Sequence, residues 1–284
     1  IAETRAPQDG RISRTIIGRP IDFRVASQPT IHGENIVLRV LDRERGVIPL
    51  EKLELPKESL RTLKIMMSRP EGIILVTGPT GSGKTTTLYS LLNYISSEKI
   101  NIMTLEDPVE YPFPLIRQTS VNEASGMGFA NGIKSLMRQD PDVILVGEVR
   151  DAETAEMAFR AAMTGHQVFT TLHTNSAIGA LPRLRDIGII PEIMAGNIIG
   201  VIAQRLVRKL CPFCKTAHRP TAEDLQLLSN RAGLVAKKIF KPKGCTTCDQ
   251  TGYKGRFALL EILKMNSDLD DLLARGATTK EIRE

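Results

Sequence analysis

The sequence predicts an α/β fold: a largely parallel sheet layered with helices, preceded by a small β-rich segment. Two observations carry that prediction. From Leu60 onward, short apolar runs suited to central strands alternate with stretches of helical pattern. Within that alternation, residues 78–85 read G-P-T-G-S-G-K-T, a glycine-rich turn between an apolar strand and a helix.

In chain order, residues 12–41 read as strands. The segments 22–25 and 35–41 are bounded by turn signals at Gly18, Pro20, Pro29 and Gly33. Residues 46–57 read as a linker, because Pro49 and Pro56 end any regular element there. Central strands are expected at 73–77, 101–105, 143–146 and 168–172, with helices at 85–96 and 152–163. The expected division is a β-rich unit over 1–45, a linker over 46–59, the α/β core over 60–208, a cysteine module over 209–256 and a helical segment over 257–284.

Composition narrows the function less than the motifs do. Aromatic residues are 4% of the chain with no Trp, which argues against a platform for stacking bases, so no nucleic acid is expected. The net charge of +6 suits a polyanion, an anionic membrane surface or a nucleotide without choosing among them. The longest apolar stretch, over 187–202, is broken by Gly, Pro, Glu and Asn and falls short of a membrane span. Glu3, Arg5, Gln8 and Asp9 interrupt any leader-like apolar start, so a cytoplasmic location is expected. The text opens mid-pattern on Ile1, as expected of a fragment of a longer protein.

Residues Gly78, Pro79, Thr80, Gly81, Ser82, Gly83, Lys84 and Thr85 fit the phosphate-binding pattern G-x-x-x-x-G-K-[ST] in full, and Thr86 follows directly. The glycines let the backbone curl so that its N–H groups point at phosphate, aided by the helix N-terminus. Lys84 is placed to reach the β- and γ-phosphates of ATP, and the Thr85 hydroxyl to ligate Mg²⁺.

Two acidic segments follow predicted strands. Residues 141–148 form an apolar strand ending in Glu148, with Gly147 where an aspartate would be usual. Glu148 is the first carboxylate available there as a water-activating base or magnesium partner. Glu106, Asp107 and Glu110 cluster after the strand at 101–105, which Pro108 stops. His166 and His173 flank the strand at 168–172; seven apart in a period of two, they face opposite ways and do not share a metal.

These motifs, in this order, resemble the secretion-type ATPases of type II secretion and type IV pilus assembly. Residues 8–11 (QDGR), 24–27 (RVAS), 29–30 and 33–34 look like the end of that family's second N-terminal domain. Residues 106–110 are similar to its Asp box, 138–151 to its atypical Walker B, and 164–175 to its His box. The resemblance implies a RecA-like P-loop ATPase core in a homohexamer, peripheral to the cytoplasmic face of the inner membrane. Such a ring works with an inner-membrane platform protein and associated assembly proteins, and through them moves pilin or pseudopilin. It implies that Glu148 is the catalytic glutamate, with Lys84, Glu106, Arg11 and Arg24 in the catalytic set, the arginines approaching the phosphates. Glu110 and His173 join the nucleotide-binding residues, and Arg39 is a weaker arginine candidate. The sequence departs from the family at Asn131 and Lys134, where arginine is usual. A DNA-translocating or conjugation ATPase, a pilus retraction motor and a non-hydrolysing nucleotide-gated binding module are the rival readings.

All four cysteines fall into two C-x-x-C pairs, Cys211/Cys214 and Cys245/Cys248, separated by 30 residues. In a cytosolic chain disulfides are disfavoured, and two such pairs suit tetrahedral Zn²⁺ held by four thiolates. A redox dithiol needs one pair rather than two, and a nucleic-acid-binding zinc ribbon lacks supporting aromatics. Four thiolates leave no open position, so a structural site is expected.

Overall fold

The computed structural model describes residues 3–42, 47–232 and 237–283. At the N-terminus, β1 (Gln8–Ile16), β2 (Arg19–Thr30) and β3 (Gly33–Asp42) form an antiparallel meander in that order. Its first hairpin turns over Ile17 and Gly18, whose φ angles of 50° and 77° give the two-residue loop that matches strand twist. Pro20 and Pro29, expected at turns, instead lie one residue inside the two ends of β2. A missing N–H costs the ladder least near a strand's end.

The boundary expected at residues 45 and 46 lies outside the described residues. The remainder of the expected linker is only partly a linker. A 3₁₀ turn over Leu50–Leu53 buries Leu50 in the core, and Ser90 donates to the Ile48 carbonyl at 2.6 Å. Burying one leucine side chain, worth about 1.5–3 kcal/mol, is reason enough for the segment to hold on to the domain.

The core follows as α1 (Lys57–Met67), β4 (Gly72–Thr77), α2 (Lys84–Ile95), β5 (Ile102–Glu106), β6 (Ile116–Ser120), α3 (Phe129–Leu136) and β7 (Val143–Val146). It continues with α4 (Ala152–Met163), β8 (Gln167–Leu172), α5 (Ala180–Ile187), α6 (Pro191–Met194) and β9 (Ile198–Leu210). Beyond lie β10 (Thr216–His218), α7 (Ala222–Ala232), β11 (Ile239–Lys241), β12 (Tyr253–Lys264) and α8 (Ser267–Ala274). The main sheet has the order β12-β9-β4-β8-β7-β5-β6, parallel throughout except for β12, which runs antiparallel to β9.

Alternate residues of each central strand enter different cores, which is why these strands read as unbroken apolar runs. Ile73 and Leu75 pack with residues of α3, α4 and α5; Ile74 and Val76 pack with residues of α1 and α2. The helical segment expected over 257–284 is corrected by β12: Tyr253–Lys264 is a strand, and Ser267–Ala274 forms the helix. Alternating side chains and an open edge on β9 make pairing the better outlet for that segment's backbone hydrogen bonds. Among the described residues, no helix is long and apolar enough to cross a membrane.

Phe169 is the largest fully buried side chain, standing on β8 in the core beneath α2. Phe169→Ala should cost about 3–5 kcal/mol of stability, read as a lowered midpoint of urea unfolding at unchanged slope.

Candidate functional site

The crossover from β4 through α2 reaches β5 only by passing β8 and β7, so strand order reverses around β4. Ligands of open α/β sheets sit at the carboxyl ends of strands beside such a reversal. Here β4, β5, β7 and β8 each deliver a candidate residue. Lys84, Thr85, Glu106, Glu110, Glu148 and His173 line one cavity of about 180 Å³.

The glycine-rich loop has the backbone its sequence requires. Gly78, Gly81 and Gly83 adopt φ of 144°, 77° and 86°, a region side chains disfavour. Pro79, Thr80 and Gly81 stand exposed at the loop's tip, while Ser82 is buried with its hydroxyl unpartnered. Lys84 begins α2 and folds back on the loop, donating to the Gly78 carbonyl at 2.9 Å and the Pro79 carbonyl at 3.3 Å. Burial pushes its ammonium below the ordinary lysine value, against the opposing pull of Glu148. Thr85 faces the cavity; Thr86 is exposed on α2 and is not among the cavity's lining residues.

Two of the carboxylates that line the cavity, Glu148 and Glu106, stand in different surroundings. Glu148 follows β7, largely shielded, ion-paired with Arg150 and 3.9 Å from His173 Nε2. Gly147 precedes it because the chain passes close to β5. A Cβ there would lie 3.3 Å from the Glu106 Cα. Asp151, three residues on, is spent on the N-cap of α4, accepting from the Thr154 N–H at 2.8 Å. Glu148 is therefore the acid of this loop that faces the cavity. Glu106, by contrast, is 5% exposed and engaged from three sides. It accepts from the Tyr89 hydroxyl, from Thr104 Oγ1 at 2.6 Å and from Gln118 Nε2 at 3.3 Å. Burial beside this carboxylate drives the Tyr89 phenol well above its usual range, so it stays a donor.

The N-terminal sheet meets the core here. Arg24 pairs with Glu110 at 3.3 Å and reaches the Pro108 carbonyl at 3.5 Å. Arg11, Arg24 and Arg39 line a neighbouring cavity of about 630 Å³, which shares Asp107 and Pro108 with the first. Arg11 itself is ion-paired with the buried Asp22. His173 stands at the end of β8 facing Glu148, while His166 is turned away, its Nδ1 2.9 Å from the Ala161 carbonyl oxygen. At the two positions that depart from the family pattern, polar groups are spent locally. Lys134 pairs with Glu153 at 3.3 Å and Asn131 donates to the Gly126 carbonyl at 3.3 Å. Tyr89, Thr104, Gln118 and Arg150 are parts of the site that sequence reasoning missed. Tyr89 carried one signal, a polar-tipped aromatic on the apolar side of α2.

The four cysteines gather away from this cavity, after β9 and before β12, with their sulfurs all within 4.8 Å of one another. Separations of 3.7, 3.8 and 3.9 Å between pairs are too long for disulfides. They match the edge of about 3.8 Å of a tetrahedron with metal–sulfur bonds of about 2.3 Å. The N–H groups of Cys245 and Gly252 donate to Cys248 Sγ at 3.3 and 3.2 Å, which favours a thiolate. The donor set and spacing fit a zinc ion.

Burial first, and the Lys84 charge second, hold the His173 imidazolium below the ordinary histidine pKa, with Glu148 opposing. His173 should titrate below 6.5 by NMR, and Lys84→Met should move its midpoint upward. Between the ordinary value and the lowered one the unfolded chain binds more protons, so this residue's contribution to stability falls as pH falls through that window.

The chain is similar over its length to known proteins. The Type II/IV secretion system protein family matches residues 1–284. The chain is 48% identical over 276 residues to type II secretion system protein E of Dickeya dadantii, covering 97% of this chain and 55% of that protein. It is 46% identical over 277 residues to type II secretion system ATPase E of Vibrio cholerae, covering 96% and 54%. The chain thus spans about half the length of the curated relatives it matches. A crystal structure of the pilus retraction motor PilT with bound ADP superposes with a TM-score of 0.70 at 31% identity, covering 96% of this chain and 67% of that one. With a family match over its whole length and a PilT-like fold, this chain belongs to the Type II/IV secretion system protein family.

Proposed function

We propose that this chain is the core of an ATP-hydrolysing motor that drives pseudopilus or pilus assembly, working as a homohexamer at the cytoplasmic face of the inner membrane. One observation carries the reading: Lys84, Thr85, Glu148 and His173 converge on a single cavity at the carboxyl ends of β4, β7 and β8. The loop N–H groups and Lys84 would hold the phosphates of ATP, and Thr85 would ligate Mg²⁺. Bound magnesium would neutralise charge developing between the β- and γ-phosphates. Glu148 would take the proton of the attacking water, with Arg150 and His173 fixing its orientation. His173 enters this arrangement uncharged near neutral pH, so it donates or accepts without repelling Lys84.

Arg24 and Arg11 would complete the site when the N-terminal sheet moves toward the phosphates, releasing Glu110 and Asp22. An arginine delivered this way is worth ~10³–10⁵ in rate in well-studied phosphoryl transfer. Their present partners lie within the same chain. Which subunit's nucleotide they serve is tested by mixing Lys84→Ala with Arg24→Ala subunits: restored turnover places the arginine across the interface, and no restoration places it within one chain. The type II secretion relatives favour assembly over retraction, because the chain is closer in sequence to them than to PilT. The cysteine cluster would hold one structural Zn²⁺, stapling the segment between β9 and β12.

Lys84→Ala should abolish Mg²⁺-dependent ATP hydrolysis, whereas Glu148→Gln should still bind nucleotide and lose turnover by about 10²–10⁴-fold. Near-normal turnover in Glu148→Gln would remove it as the base. Elemental analysis should find one zinc per chain, lost in Cys211→Ser or Cys248→Ser together with protease resistance of residues 211–252, since metal affinity at such sites is folding free energy.

A further inference from the structure

Gln204 lies on β9 one residue beyond the last rung that β9 shares with β4, where Thr77 pairs with Ala203. This puts it beside the start of the phosphate loop. It is 2% exposed, yet both ends of its amide are satisfied. Nε2 donates to the Ser82 carbonyl at 2.7 Å, and Oε1 accepts from Thr87 Oγ1 at 2.6 Å. A carbonyl can only accept, so the orientation of the amide is fixed by its partner. The loop is also moulded to this residue. A Cβ on Gly78 would fall 2.3 Å from the Gln204 backbone oxygen, and one on Gly83 2.8 Å from Nε2.

The hydrogen bond to Ser82 has a consequence for ligand binding. The Ser82 C=O and the Gly83 N–H belong to one planar trans peptide and point in opposite directions. Holding that carbonyl toward β9 therefore turns the Gly83 N–H toward the cradle. Three glycines at positive φ make this loop costly to order, and a clamp that orders it beforehand lowers the cost of binding. Thr87, one turn into α2, ties the same amide to the helix whose N-terminus faces phosphate.

We propose that Gln204 is a positioning residue that preorganises the phosphate loop, setting affinity for the nucleotide without touching it. The inference rests on the nucleotide reading above. Its test is titration of the whole chain with Mg-ADP, followed by steady-state ATP hydrolysis. Gln204→Met keeps the bulk and removes both hydrogen bonds; Kd for Mg-ADP and KM for ATP should rise about tenfold. Turnover at saturating ATP should stay within about twofold, because binding common to ground and transition states is what the clamp supplies. Thr87→Val removes one anchor of the amide isosterically, and its Kd should rise about threefold if Gln204→Met does not fold. Unchanged Kd in the variants, or a fall in saturated turnover as large as the fall in kcat/KM, would overturn the proposal. Failure of the unsubstituted chain to bind Mg-ADP would instead sink the nucleotide reading itself.

Discussion

The seating of β4 between β8 and β9 is the constraint on which the site depends. Hydrogen-bonded on both sides and buried on both faces, β4 cannot shift without breaking two ladders and two cores. Its carboxyl end is therefore a fixed point, and the phosphate loop springs from it. β8 sets His173 at the same level, and β7, one strand further, sets Glu148. Parallel strands make this possible because all their carboxyl ends lie on one edge, which antiparallel neighbours would not provide. The cavity's geometry is thus inherited from sheet register rather than from loop conformation.

Within that frame the two carboxylates differ by what surrounds them. Glu106 ends β5 in a buried nest of hydroxyl and amide donors from α2, β5 and β6, and this ties three elements together. Tyr89 is the centre of that nest and also stacks edge-on against Phe113 at 5.1 Å. Glu148 instead has charged or titratable partners at the cavity, Arg150 and His173. A carboxylate surrounded by fixed neutral donors is suited to holding structure; one beside movable charges is free to exchange a partner for a proton.

The arginines follow the same logic at larger scale. Arg11 and Arg24 each sit on a carboxylate of this chain, Asp22 and Glu110. A guanidinium already paired is not lost to solvent, yet it can be claimed by a phosphate of higher charge. After the carboxyl end of β9, the cysteines gather within the excursion between β9 and β12.

The glycine-rich loop was legible in the sequence, because it is a local device. The seven residues from Gly78 to Lys84 set the turn, and the apolar strand and helix on either side were readable from their periods. The cysteine pairs were legible for a like reason: metal geometry imposes a short spacing. The antiparallel β12 was missed, since its alternation yields a strand only when β9 offers an edge. Leu50 was missed because burial depends on what α2 leaves uncovered. The contrast in surroundings between Glu106 and Glu148 was equally hidden, because Tyr89, Thr104 and Gln118 reach Glu106 from three separate elements. Gln204, which lies 117 residues from its partner Thr87, left no mark in the sequence. By itself, then, the sequence determined the central strands around the glycine-rich loop and the motifs that are closed within a few residues. Only the tertiary structure decided which acid faces the cavity, where the arginines rest and what braces the loop, because those depend on contacts between distant segments.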